Sequence, residues 1–282
     1  MAEERQGGPG EIHRILVLVD ASRSSRAALD AAAELAGRHG AELVSLFVEE
    51  SDLLRLAGLP FARELGTTSG TSRPMSRERL ERRLQGEVAE LRRRLTGLAA
   101  RHALRWSLQV ARGRADVEAL ARAAPGDLLV VGKTGWSRLP SQRLGSTPRN
   151  LVSKSTVSVM VYSRPAPTPQ APIVALFDDP ASGPRTLALA TYIARSDADA
   201  LTVLIPEAHA DSLLPEARRW LTAHGVEATL KPLPGHGPRD LSAVALREHL
   251  QALVIHRDSP LVAGEARQEL LESLDAPVVI VP

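Results

Sequence analysis

The chain repeats one pattern of strands and helices along its length, and this repetition restricts the fold more than any other feature. Residues 14–20, with the sequence RILVLVD, form an apolar run that ends in an acid, and residues 172–178, PIVALFD, repeat it. Each run is followed by a segment rich in Ala and Leu and then by a second apolar run, at 43–48 and 201–205. Runs of this kind are typical of strands buried on both faces of a parallel sheet.

Two intervals between landmark residues have the same length in both copies. The interval 113–132 covers 19 positions, and so does the interval 237–256. The 13 positions of the interval 145–158 recur in the interval 264–277. Equal spacings within similar strand–turn–helix patterns indicate that the chain arose by duplication.

We predict an α/β fold of two tandem open-sheet, Rossmann-like domains with five parallel strands each. Domain one covers residues 12–163 and domain two covers 172–282, joined by a linker at 164–171 that holds three prolines in eight residues. The predicted strands are 14–20, 43–48, 104–110, 127–131 and 157–162 in copy one, and 172–178, 201–205, 226–231, 253–256 and 278–281 in copy two.

Copy one carries an extra segment that copy two lacks. Residues 57–75 form an insertion rich in Gly, Ser and Thr, and residues 76–103 then predict a long amphipathic helix. Its leucines recur every three or four positions, opposite a face rich in arginine. We interpret that face as a solvated helix surface rather than a binding surface.

Composition excludes several classes of function. The 282 residues include no cysteine, which excludes disulfides, thiolate nucleophiles and cysteine-ligated metals. Apolar stretches fall short of the roughly 20 residues of a membrane span, and residues 1–10 lack the apolar core of a signal peptide. We therefore expect a cytoplasmic protein with no membrane partner. A net charge of only +2 and 3% aromatic residues argue against a nucleic-acid partner.

The stretch 127–146, DLLVVGKTGWSRLPSQRLGS, is the part of the sequence that most directly indicates a ligand. A buried strand leads into Gly132 and Gly135, and Gly145 with Ser146 then opens a helix. Glycines at the carboxyl end of a parallel strand let the backbone turn sharply and approach a ligand closely. A helix N-terminus offers unpaired N–H groups, which suit a phosphate. Lys133 lies between the glycines, where an exposed loop lysine and a phosphate contact are equally plausible.

Two familiar phosphate loops do not fit this stretch. A P-loop requires a glycine five positions before Gly132, but that position is Asp127, before the strand. The dinucleotide fingerprint is missing after the first strand, where residues 20–23 read Asp-Ala-Ser-Arg.

The spacing Gly132-x2-Gly135-x9-Gly145-Ser146 resembles the nucleotide loop of ATP-binding universal stress proteins. Asp20 at the end of strand one, Val48 at the end of strand two and Gly113 after strand three also match that family's pattern. The resemblance covers nearly all of copy one apart from its insertion. Copy two matches in architecture only.

The resemblance implies a sheet with the strand order 3-2-1-4-5 and ATP, with or without Mg²⁺, between strands one and four. Asp20 and the Val48 backbone would face the adenine, although Asp20 near Ser22 also fits a helix N-terminal acid. The glycines and Ser146 would hold the ribose and phosphates. The full set of implied cofactor-binding residues is Asp20, Ala21, Val48, Gly113, Gly132, Lys133, Gly135, Gly145, Ser146 and Thr147.

Copy two departs from the pattern at the positions that would bind phosphate. Residues 256–259, His-Arg-Asp-Ser, align with 132–135, and Glu265 replaces the serine. Pro206 is at the position of copy two that aligns with Val48. We therefore predict a degenerate domain that binds no ATP and docks on copy one, with strands 157–162 and 278–281 paired edge to edge.

The sequence contains no constellation typical of catalysis, so we expect no enzymatic activity. The favoured function is an ATP-binding regulatory module in the stress response, with nucleotide in the first domain only. A nucleotide-independent interaction scaffold and a slow ATPase remain alternatives. The sequence identifies no protein partner, and it leaves a homodimer open.

Overall fold

The computed structural model describes residues 12–20, 22–57, 59, 61–65, 71–134, 144–163, 171–194, 200–235 and 237–282. In the first half, residues 12–163, the strands are β1 (Arg14–Val19), β2 (Glu42–Glu50), β3 (Arg63–Leu65), β4 (Ser72–Pro74), β5 (Trp106–Gly113), β6 (Asp127–Gly132) and β7 (Ser158–Tyr162). Its helices are α1 (Arg23–His39), α2 (Ser51–Ala57), α3 (Arg77–His102), α4 (Ala115–Arg122) and α5 (Ser146–Lys154).

The second half, residues 172–282, has the same succession without the inserted elements. Its strands are β8 (Ile173–Leu176), β9 (Leu201–Pro206), β10 (Thr229–Leu233), β11 (Ala252–His256) and β12 (Val278–Val281). Its helices are α6 (Gly183–Ile193), α7 (Ala210–His224), α8 (Pro238–Glu248) and α9 (Glu265–Ser273), with a 3₁₀ turn at Glu207–His209.

One ten-stranded sheet runs through both halves in the order β10-β9-β8-β11-β12-β7-β6-β1-β2-β5. Within each half the neighbouring strands are parallel, and their order along the chain is 3-2-1-4-5, which agrees with the prediction. The halves join where β12 pairs antiparallel with β7, with Val279 opposite Met160. The predicted α/β fold and the predicted pairing of the two final strands are confirmed. The division into two domains stays a prediction.

Both faces of the sheet are covered by hydrophobic side chains. In β1, Ile15 and Val17 belong to the core on one face, and Leu16 and Leu18 belong to the core on the other. Each of the two cores includes residues from both halves. This double burial is what the uninterrupted apolar runs predicted.

Helix α1 packs closely on the sheet beside the junction of β1 and β6. Ser22 caps its N-terminus, since the Ser22 hydroxyl accepts a hydrogen bond from the Ser25 N–H, and Gly40 ends it in the left-handed conformation with φ 65°. Alanines at positions 28, 32, 33 and 36 are fully buried and let the helix backbone approach the strands.

The structure differs from the sequence prediction mainly at the sheet edges and in the insertion. The strand predicted at 104–110 is β5, at Trp106–Gly113, and the strand predicted at 226–231 is β10, at Thr229–Leu233. The segment 57–75 holds an antiparallel hairpin, β3–β4, that its Gly/Ser/Thr composition did not reveal. In the described part of the chain, no helix combines the length and hydrophobicity needed to cross a membrane.

Candidate functional site

A cavity of about 290 Å³ lies at the carboxyl ends of β1, β2 and β6, where α5 begins. The strand order reverses between β1 and β6, and such switch points are where open α/β sheets bind ligands. Six of the residues assigned from the sequence line this cavity, namely Asp20, Val48, Gly132, Gly145, Ser146 and Thr147. Ala21 and Gly135 lie outside the described residues. Gly113 and Lys133 do not line it.

Asp20 both lines the cavity and shapes the turn into α1. Its Oδ1 accepts a hydrogen bond from the Ser22 N–H at 2.9 Å, and its own N–H donates to the Ser25 hydroxyl at 2.8 Å. The helix N-terminal role that the sequence allowed for Asp20 is therefore present. It does not compete with a ligand role, because the same half-buried residue is part of the cavity wall.

Gly132 is required by packing. A Cβ at this position would lie 2.7 Å from the Ser24 hydroxyl oxygen and 3.0 Å from the Ser25 nitrogen, both in α1. The absence of a side chain thus lets the end of β6 meet the start of α1. The sequence interpretation gave a sharp turn and the approach of a ligand as the reasons for this glycine, and it did not foresee the contact with α1.

The N-terminus of α5 opens onto the cavity. Gly145 is its N-cap and, as a glycine, supplies no side chain to accept a hydrogen bond from the first turn. The Gly145 N–H itself donates to the Lys133 carbonyl at 2.9 Å, which fixes where α5 starts. The first turn adds the hydroxyls of Ser146 and Thr147 to the cavity wall. A helix start of this kind attracts an anionic group.

Two carboxylates in the cavity wall were missed by sequence analysis. Burial raises the pKa of the Glu50 carboxyl, although a hydrogen bond from the Ala115 N–H at 3.3 Å opposes this rise. Burial also raises the pKa of Glu87, which projects from α3 beside Asp20, against the opposing charge of Arg83. Glu50 follows Val48 by two positions, so the alternation of β2 contained a signal for it. Glu87 had none, since α3 follows the insertion.

Lys133 corrects one expectation from the sequence. It is buried, with 7% of its surface exposed, so its interpretation as an exposed loop lysine is wrong. Its Nζ donates to the carbonyls of Glu272 at 3.1 Å and Leu274 at 2.5 Å, at the end of α9 in the second half. Among the described residues that line the cavity, none is Lys or Arg.

Gly113 also has a local role. It ends β5 at the edge of the sheet, and a Cβ there would lie 2.7 Å from the Glu118 carboxylate in α4. The close turn from β5 into α4 therefore accounts for this glycine.

Comparison with known proteins adds the family to this geometry. The model of the universal stress protein family matches residues 11–163, which is more than half of the chain. The chain belongs to the universal stress protein family. A search of curated protein sequences gave no match.

Solved structures resemble this universal stress protein over both halves. A universal stress protein from Archaeoglobus fulgidus is 15% identical, with 95% of each chain covered and a TM-score of 0.69. A putative universal stress protein from Pseudomonas aeruginosa is 15% identical, covering 96% of this chain and 93% of that one, with a TM-score of 0.60. The cytoplasmic domain of a prokaryotic cation chloride cotransporter is 11% identical, covering 96% and 95%, with a TM-score of 0.58. At these identities the likeness shows the fold.

At the equivalent strand ends of the second half of this universal stress protein, side chains of the chain itself pack together. Asp178 stands where Asp20 stands, and the Ser259 hydroxyl donates a hydrogen bond to its carboxylate. Phe177 precedes it and is 1% exposed, and a Cβ on Gly183 would overlap the Phe177 ring. Glu265 begins α9 and is exposed. A hydrogen-bonded carboxylate and an aromatic ring thus occupy the strand ends.

The half-buried Asp178 makes stability depend on pH. Burial raises the pKa of its carboxyl, against the opposing hydrogen bond from Ser259. The folded protein therefore holds this proton more tightly than the unfolded chain, and stability falls as the pH rises from the ordinary value near 3.8 through the raised pKa. We expect Asp178→Asn to raise the melting temperature near pH 7, with a gain that shrinks toward pH 4, as measured by calorimetry.

Asp179 provides the opposite control for this prediction. Hydrogen bonding by the Ser182 hydroxyl lowers the pKa of Asp179, so its contribution is present at neutral pH and lost on acidification. Asp179→Asn should therefore lower the melting temperature near pH 7, with a loss that vanishes at low pH. If the melting temperatures of the two variants changed with pH in the same way, the opposite pKa shifts assigned to Asp178 and Asp179 would be wrong.

Proposed function

We propose that this universal stress protein is a regulatory module that binds ATP in its first half only. The observation that carries the proposal is the cavity between β1 and β6, where six residues assigned from the sequence line a wall that includes the start of α5, with Gly145 as its N-cap. Family membership and the loop spacing favour an adenine nucleotide as the ligand. A role in the stress response is proposed only because the chain belongs to this family.

The walls of the cavity suit an adenine ring at one end. Apolar side chains from three strands contribute there, namely Leu18, Leu46, Val48 and Val131. Burying a flat ring against such walls is favourable in proportion to the apolar area removed from water. Asp20 supplies a carboxylate acceptor among them, which matches an exocyclic amine. This combination supports adenine over a purely polar ligand.

The start of α5 suits the phosphates at the other end. Its N–H groups and the hydroxyls of Ser146 and Thr147 are donors without a fixed charge. Three carboxylates also line the cavity, at Asp20, Glu50 and Glu87, and they would repel an unshielded triphosphate. We therefore expect ATP to bind better with Mg²⁺. Among the described residues no group of three acidic or histidine side chains could hold a metal ion, so phosphate oxygens would supply its ligands.

The second half supports one site per chain. The Ser259 hydroxyl and the Phe177 ring occupy the strand ends where the first half has its cavity. The described wall of the first-half cavity contains no histidine, cysteine or lysine, which leaves carboxylates as its candidate general bases. This lining favours a binding module over an ATPase.

Calorimetry with Mg²⁺ and ATP on the intact chain tests the proposal. We expect one site per chain, and we expect Gly145→Trp to weaken binding by at least ~100-fold, which corresponds to about 2.7 kcal/mol. The indole would block the approach of phosphate to α5. The backbone of Gly145, φ −67° and ψ 160°, is one that other residues adopt, and a Cβ there would lie 3.3 Å from the Pro148 Cδ. A product assay on the same samples checks for ATP hydrolysis.

Ala263→Trp is the matched control, because Ala263 is exposed just before the equivalent helix, α9. It should bind ATP as the wild type does. Two sites per chain would contradict binding in the first half only. A folded wild-type chain that binds no ATP would favour the nucleotide-independent scaffold instead.

A further inference from the structure

Two basic side chains cross the junction of the halves in opposite directions. Lys133 follows β6 and donates its Nζ to the Glu272 and Leu274 carbonyls, where Leu274 is the C-cap of α9. Arg257 follows β11 and donates its Nη1 to the carbonyl of Ser155 at 2.6 Å, where Ser155 is the C-cap of α5. Each half therefore caps the last helix of the other half with a cation, a favourable arrangement at the negative end of a helix.

The backbone around the two residues is equivalent as well. The Lys133 N–H donates to the Tyr162 carbonyl at 2.7 Å, and the Arg257 N–H donates to the Val281 carbonyl at 2.7 Å. Lys133 and Arg257 thus occupy matching positions on either side of the β7–β12 pair. They form a natural pair for comparison.

The backbone carbonyl oxygens of Lys133 and Arg257 accept hydrogen bonds from different donors. The Lys133 carbonyl accepts from the N–H of Gly145, the N-cap of α5 at the cavity. The Arg257 carbonyl accepts instead from the Arg267 side chain at 2.7 Å. A continuous path therefore runs from α9, through the side chain and main chain of Lys133, to the start of α5. The Arg257 carbonyl has no such link to the cavity, and the Arg257 side chain contacts α5 only at its far end, at Ser155.

We infer that the second half positions the anion-binding start of α5, and that Lys133 is the positioning residue through which it does so. This inference rests on the proposed function for its ligand. The Lys133 side chain contacts carbonyl oxygens at the end of α9 and does not line the cavity. It therefore acts indirectly, because its backbone carbonyl holds the N–H of Gly145 in position. The non-binding half thereby sets the geometry of the binding half.

The geometry also determines which ligands should respond. Lys133 fixes the end of the cavity that faces phosphate, whereas the apolar walls of β1 and β2 do not depend on it. Losing the Lys133 anchor should therefore weaken a nucleotide that carries phosphates and leave a nucleoside nearly unchanged. A general loss of structure would weaken both equally.

The test compares Lys133→Met with Lys231→Met in the full chain. With Mg²⁺ present, we expect Lys133→Met to lose ~10-fold in affinity for ATP and less than about 2-fold for adenosine, within the range of known couplings between sites. Lys231 donates its Nζ to the Glu248 carboxylate at 2.6 Å within the second half, away from α5 and the cavity, so Lys231→Met should leave both affinities unchanged. Lys133→Arg, which keeps the cation, should recover most of the ATP affinity. Should Lys133→Met not fold, Lys133→Gln replaces it, since it retains a hydrogen-bond donor.

Hydrogen exchange without nucleotide separates this inference from the proposed function. The start of α5, residues 145–149, should exchange faster in Lys133→Met than in the wild type, and at the wild-type rate in Lys231→Met. If Lys133→Met exchanges faster but the wild type binds no ATP, the positioning role of Lys133 is supported and ATP as the ligand is refuted. Unchanged exchange at α5, or equal losses for ATP and adenosine, would overturn the positioning role.

Discussion

Phe177→Ala is expected to lower the free energy of unfolding by about 3–5 kcal/mol. The Phe177 ring is 1% exposed and packs against the start of α6, where Gly183 leaves just enough room for it. Removing the ring takes away its apolar burial and leaves a cavity that the adjacent helix cannot fill without moving. Urea denaturation, with the midpoint and slope fitted together, measures the change.

Phe61→Ala is the control, since the same side chain is 75% exposed there. Its effect should stay within about 0.5 kcal/mol. A similarly small effect at Phe177 would mean that α6 collapses onto β8 and that the ring is not what fills this end of the sheet. ATP should still bind at one site per chain in Phe177→Ala, because the Ser259 hydroxyl still donates its hydrogen bond to the Asp178 carboxylate.

Burial on both faces made the centre of the sheet predictable. A strand such as β1, which contributes Ile15 to one core and Leu16 to the other, must be apolar at each buried position, and the run at 15–19 shows this directly. The edge strands lack that constraint. In β5, Gln109 and Val110 are exposed, so no change in hydrophobicity marks where the strand begins or ends. The hairpin β3–β4 is three residues a side and its β4 is exposed, which gives it no apolar pattern.

The site was predictable where it depends on local backbone geometry. Gly132, Gly145 and Ser146 follow from the need for a turn after a buried strand and an open helix start, and all three line the cavity. Lys133 was not predictable, because its partners lie 139 and 141 positions away and belong to the other half. Glu87 was missed for the same physical reason. The packing of α3 brings it to the cavity, and its sequence position bears no recognisable spacing to the stretch 127–146.

Tyr192→Ala is expected to lower the free energy of unfolding by about 3–5 kcal/mol, as other large buried aromatic truncations do. Tyr192 lies in α6 of the second half, and its ring stacks on His39 of α1 at 4.1 Å between ring centroids. Its hydroxyl donates to the Ile12 carbonyl at 2.8 Å, just before β1. This contact therefore joins the halves on the face of the sheet opposite to Lys133 and Arg257.

Two variants separate the parts of this contact. Tyr192→Phe keeps the stacked ring and removes only the hydroxyl, so it should cost about 1 kcal/mol. Trp220→Ala removes a matching stack, at 4.1 Å from His224, that lies within the second half and is partly exposed, and it should cost about 0.5–1.5 kcal/mol. Chemical denaturation of the three variants gives the comparison. If Tyr192→Ala cost no more than Trp220→Ala, the contact between α1 and α6 would add little, and the β7–β12 pairing with its two reciprocal caps would carry the association of the halves.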